Sequence, residues 1–133
     1  LAQDPIDAKT NHIGQGVGRL AYPSGEGDSS EMGFKFEVRT RGDKTRGTLT
    51  LRFPETEESL EFQVVEATWG GPILRCRCMM PPPPQEVLIK AEFQAVDGGA
   101  NNPDEFHLRL YNSSGELIFA AGGELELGRI RIR

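Results

Sequence analysis

Strict alternation of apolar and polar residues recurs in almost every stretch between turn signals, and a period of two is the signature of half-buried β-strands. Residues 33–39 (GFKFEVR) place Phe34, Phe36 and Val38 on one face and Lys35, Glu37 and Arg39 on the other. After the turn Arg41-Gly42-Asp43-Lys44, residues 47–53 (GTLTLRF) repeat the pattern with Leu49, Leu51 and Phe53, so the two segments read as a hairpin. The pattern continues in SLEFQVVE (Leu60, Phe62, Val64), ILRCRCMM (Leu74, Cys76, Cys78, Met80) and EVLIKAEFQAV (Val87, Ile89, Ala91, Phe93, Ala95). It ends with EFHLRLYN (Phe106, Leu108, Leu110), the short ELIFAA, and ELELGRIRIR, where Ile130 and Ile132 alternate with arginines. An earlier strand is expected over 17–22 (VGRLAY), followed by a loop PSGEGDSS. No stretch sustains a helical period.

Eight or nine strands joined mostly by short connections predict an all-β fold, an antiparallel meander closed as a β-barrel or folded as a β-sandwich. Sixteen Gly and nine Pro in 133 residues supply the tight turns such a fold needs. The length suits one core, so residues 13–133 are expected to form a single domain behind a flexible N-terminal segment, 1–12, that includes His12. The run Pro81 to Pro84 cannot donate ladder hydrogen bonds and favours polyproline II geometry. It reads as a stiff surface connection, with an SH3-type ligand as the alternative.

A formal net charge of −5 argues against nucleic acid as a partner, because phosphate binding needs a basic surface. Outward positions carry both signs (Lys35, Glu37, Arg39, Arg52, Glu61, Arg75, Arg77, Lys90, Glu92, Arg109), which suits a solvated exterior that resists edge-to-edge association. No apolar run approaches the roughly 18 residues of a transmembrane helix. The opening Leu-Ala-Gln-Asp is compatible with the remnant of a cleaved export signal or with an arbitrary boundary. Cys76 and Cys78 sit two apart on one face of a strand, where a bridge between them would be strained. They are expected to be buried apolar thiols, with zinc ligation as the alternative.

Candidate chemistry is sparse. His12 and His107 are the two imidazoles available to a hydrolytic triad, and no Gly-x-Ser-x-Gly elbow, His-Glu-x-x-His helix or phosphate-binding glycine loop accompanies them. The chain is therefore read as no enzyme. The loop 97–104 offers Asp97, Asn101, Asn102 and Asp104 as oxygen ligands, which suits calcium, although the same residues serve ordinary turns. Trp69, in a Gly-flanked loop, with Tyr22 and Tyr111 near strand ends, could stack on a sugar; otherwise Trp69 caps the core. The RIRIR terminus could be an edge strand available for pairing.

The Gly-rich opening Gly14-Gln15-Gly16-Val17-Gly18-Arg19-Leu20, the Gly33 to Phe36 and Gly47 to Leu49 strands, and the ending Asp104-Glu105-Phe106-His107-Leu108-Arg109-Leu110, Gly122-Gly123 and Ile130-Arg131-Ile132 carry a resemblance. Over residues 13–133 the chain resembles the small all-β domain, post-COAP-type, found mainly toward the C-terminal ends of exported bacterial proteins. That resemblance implies a secreted or cell-surface location and a noncatalytic accessory domain with a structural or protein-interaction role. No cofactor follows from it, and calcium stays open on the loop oxygens alone. Two alternatives stand beside this reading: a carbohydrate-binding module using Trp69, and a carrier of a small apolar ligand. Partners would then be a protein or a polysaccharide. Cys76 and Cys78 stand where the family pattern implies small or hydroxyl residues, and they weigh against export, since free thiols are uncommon outside the cytosol.

Overall fold

Nine antiparallel strands form one sheet in the computed structural model, which describes residues 11–25, 27–80 and 89–133. In chain order they are β1 (His12–Gly25), β2 (Asp28–Arg41), β3 (Lys44–Phe53), β4 (Glu58–Gly70), β5 (Ile73–Met79), β6 (Lys90–Val96), β7 (Glu105–Tyr111), β8 (Leu117–Glu124) and β9 (Leu127–Ile132). The order across the sheet is β8-β7-β6-β5-β4-β3-β2-β1-β9, so β1 to β8 are a meander and β9 returns to the free side of β1.

That order dictates the curvature. In a flat sheet the two edge strands would stand about 38 Å apart, at roughly 4.8 Å per strand. Yet β8 and β9 are those edges, and only Leu125 and Glu126 separate them in the chain, a reach of about 11 Å. The sheet must curl until its edges meet. The fold is therefore a single curled, barrel-like sheet.

One face of this curled sheet is apolar because the period-two alternation aims every second residue inward. Phe34, Phe36 and Val38, Leu49 and Leu51, Phe62 and Val64, Leu74, Cys76 and Cys78, Ala91, Phe93 and Ala95, and Phe106, Leu108 and Leu110 are all buried, as the alternation requires. Four phenylalanines fill the centre: the rings of Phe34 and Phe106 stack at 4.0 Å between centroids, and Phe93 lies 5.0 Å from Phe36 and 5.4 Å from Phe106. The glycines of β1 make room for them. A methyl group at Gly16 would meet the Phe36 ring and the Ile130 side chain, and one at Gly14 would meet Leu74 and Trp69.

Three features depart from the sequence reading. β1 begins at His12 and extends to Gly25, so His12 belongs to the sheet, paired with Thr40, and part of the expected PSGEGDSS loop is the end of the β1/β2 hairpin. A β-bulge at Val65 shifts the register between Val64 and Glu66. The extra residue reverses the phase of β4 beyond it, leaving Val65 exposed and turning Ala67 and Trp69 toward the core. Trp69 thus lies on a strand, not in a loop. The Pro81 to Pro84 run, and with it the start expected for the sixth strand, lies outside the described residues.

The third departure is the terminus. β9 is not an open edge: one side pairs with β1, and on its other side the Ile130 and Ile132 backbone N–H groups donate to Asp104 Oδ2 (2.7 Å) and Asp97 Oδ2 (3.1 Å). Backbone bonds from Leu125 to the Asp104 carbonyl and from Glu126 to the Arg19 carbonyl complete this seam.

Candidate functional site

The aromatic candidates do not converge. Trp69 closes one end of the core: its Nε1 donates to Thr40 Oγ1 at 2.9 Å, and the ring stacks on His12 with centroids 5.0 Å apart. Thr40 Oγ1 lies 2.9 Å from Thr45 Oγ1, so β2, β3 and β4 are tied together there. Tyr22 sits ten residues further along β1, about 30 Å of extended strand away, and meets Phe119 edge-on at 5.1 Å. Tyr111, at the far end of β7 opposite Lys90, is also remote from Trp69. No sugar-stacking platform is built from these three.

The acidic loop is occupied with holding the seam. Asp97 Oδ1 accepts from the Gly99 N–H (3.0 Å) and Asp104 Oδ1 from the Gly98 N–H (2.8 Å), while the second oxygen of each carboxylate holds β9. Gly98 fits because a side chain there would run into the backbone of Asn102 and Pro103. Asn101 and Asn102 are exposed at the loop tip. Among the described residues no group of three or more His, Cys, Asp or Glu side chains is placed to hold a metal ion.

Cys76 and Cys78 are both buried free thiols on the inner face of β5. Burial raises both pKa values, that of Cys78 to about 12; Cys76 rises further, with the neighbouring Cys78 as a second contribution. Neither thiol is poised to act as a thiolate nucleophile.

A depression lined by charged and polar side chains lies on the outer face of β4 to β8. The strand register builds two rows there: Glu66-Arg77-Glu92-Arg109-Ala120 and Thr68-Arg75-Gln94-His107-Gly122. The rows line a depression of about 750 Å³, with Pro23 of β1 at its rim. The small residues of β8 lower one side. A methyl group at Gly122 would strike the His107 ring, so that ring lies over the glycine. Opposite charges alternate across the strands, and Arg77 approaches Glu66 at 3.4 Å while Arg75 Nε donates to Gln94 Oε1 at 2.8 Å. Such exposed pairs add little stability.

Within the cleft His107 pairs with Glu105 at 3.1 Å. Among the described residues that line it, the one hydroxyl, that of Thr68, lies three strands away, about 14 Å, too far for the imidazole to activate it. The arrangement offers donors and acceptors in fixed rows, not a nucleophile beside a base. Reading single strands placed Arg75, Arg77, Glu92 and Arg109 on a solvated exterior. Their alternation across strands becomes visible only once the register is known. Comparison with protein-family models, with curated proteins and with solved structures finds no match.

Proposed function

We propose that this chain is a noncatalytic accessory domain of a secreted or cell-surface bacterial protein, and that it engages a protein partner through the outer cleft of β4 to β8. The observation that carries the reading is the location of that cleft. The polar concavity is on the outside, while the space a carrier would need for an apolar guest is taken by Phe34, Phe36, Phe93 and Phe106. Recognition sites of this kind use fixed polar groups for orientation and specificity. The resemblance to post-COAP-type domains supports the accessory role and the exported location.

A photo-crosslinking residue at Ala120, on the β8 side of the cleft, tests the reading when introduced into the full-length protein in its native host, with the same residue at Asp43 on the β2/β3 turn as the comparison. A crosslinked species formed from position 120 and absent from position 43 is expected. Equal labelling at both positions, or none, would sink the cleft as a docking site. Retention of the purified domain on insoluble polysaccharides, lost in Trp69→Ala, would instead favour the carbohydrate-binding alternative.

A further inference from the structure

The wall opposite the cleft treats charge differently. On the outer face of β9-β1-β2-β3 the register gives four rows: Arg133-Ile13-Arg39-Arg46, Arg131-Gln15-Glu37-Thr48, Arg129-Val17-Lys35-Thr50 and Leu127-Arg19-Gly33-Arg52. Half of these positions are cationic and one is acidic, in a chain whose net charge is −5. Of the carboxylates near the patch, Glu37 and Glu31 each reach one arginine, Arg39 at 3.8 Å and Arg19 at 3.5 Å, and Glu61 stands opposite Thr50 at its β4 border. Arg39 and Arg46 face each other directly across β2 and β3. Like charges so placed destabilise a sheet, whereas the β4 to β8 wall alternates sign. Folding alone does not favour this arrangement.

Apolar side chains stand among the cations. Val17 is 57% exposed, Leu127 58% and Ile13 43%, and all three belong to these rows. We propose that this face docks on an anionic lipid surface, with the arginines against headgroups and the three aliphatic side chains at the acyl boundary. Cationic groups close to such a surface are attracted by its negative potential, and shallow apolar insertion adds to that attraction. Nineteen of the twenty acidic residues lie outside the four rows, and this asymmetry of charge would orient the domain.

Other occupants fit less well. Single-stranded nucleic acid stacks on platforms of exposed aromatics, and the four rows contain none; a duplex binds by charge alone and would leave the three exposed aliphatic side chains without a role. The cations are spread over a grid of about 14 by 20 Å, which suits an extended anionic surface, because many weak contacts are made at once. This proposal is independent of the cleft, which lies on the other wall.

The test is co-sedimentation of the 133-residue chain with vesicles of phosphatidylglycerol and phosphatidylcholine, against vesicles of phosphatidylcholine alone. Binding is expected to the first only, weakened at least tenfold by 0.5 M salt and about tenfold by Arg129→Glu. Arg129→Gln serves as a milder variant, expected to weaken binding severalfold, should charge reversal disturb folding. Lys90→Glu on β6 makes the same charge change away from the face and is expected to leave binding within twofold. Val17→Ser is expected to weaken binding without altering its salt dependence. Absence of binding to the anionic vesicles, equal loss with Lys90→Glu, or binding to heparin but not to vesicles would each overturn the proposal.

Discussion

The wall from β2 to β7 and the seam where β8, β9 and β1 meet are parts of one sheet held by different means. In the wall every strand has an antiparallel partner on both sides, with one bulge, at Val65, in the β4/β5 ladder, and its inner face carries the phenylalanine cluster. At the seam the ladder changes hands within two residues, and two aspartate carboxylates accept the N–H groups that no strand reaches. The wall is stabilised by area removed from water; the seam by a few directed bonds to charged acceptors. A small number of side chains therefore decides whether the sheet closes, while no single side chain decides whether the wall forms.

The sharpest way to break this contrast is to remove one member from each region. Phe106→Ala, at the centre of the stacked rings, is expected to cost about 3–5 kcal/mol of unfolding free energy, the usual range for emptying a buried aromatic site. Equilibrium urea denaturation measures it, and a loss below about 1 kcal/mol would show that the cluster is not the wall's main support. Asp104→Ala removes the acceptors for Gly98 and Ile130. It is expected to cost about 2–4 kcal/mol, because bonds to a charged acceptor are among the stronger ones and a partner left unpaired loses its solvation as well. Its second signature is local: amide hydrogen exchange at Ile130 should accelerate well beyond that in β2 to β5. Uniform acceleration would mean that the seam has no stability of its own to lose.

The same contrast separates what sequence pattern reveals from what it hides. The faces of β2, β3 and β5 to β7 follow from alternation, because their central inward positions are apolar and most of their outward ones are polar. β1 inverts that rule. Its inward positions include Gly14 and Gly16, small because Trp69, Leu74 and Phe36 take the space, while Ile13 and Val17 point outward. Alternation alone would assign those faces the wrong way round. In β4 the phase reverses at Val65, and nothing in the residue types announces a bulge. Asp97 and Asp104 were legible as oxygen donors but not as seam acceptors, since a calcium loop, a turn and a cap for β9 draw on the same residues. The cleft and the basic face both depend on which strands are neighbours. Glu66 to Arg109 and Arg129 to Lys35 are far apart in the chain, so their grouping is a property of the register.

The smallest effect asks whether the wall can be probed alone, through the thiol of Cys78 on the inner face of β5. Below the ordinary thiol pKa, about 8.5, Cys78 is protonated in both folded and unfolded chains and contributes no pH dependence. Above it the unfolded chain releases the proton, while burial keeps the folded one protonated up to about 12. The unfolded state then binds fewer protons, so stability falls as pH rises through this window, by roughly 1 kcal/mol per pH unit for this thiol. Cys78→Ala removes that contribution whatever the substitution does to packing. Urea midpoints at pH 8, 9 and 10 should therefore converge between wild type and variant as pH increases if the variant starts less stable, and diverge in the variant's favour if it starts equal. Parallel profiles would mean that the thiol ionises as readily in the folded protein as in the unfolded chain, and that the wall opens to water at β5 more freely than its packing implies. Loss of the Ile130 amide protection over the same pH range, with β5 unchanged, would instead place the weak point at the seam.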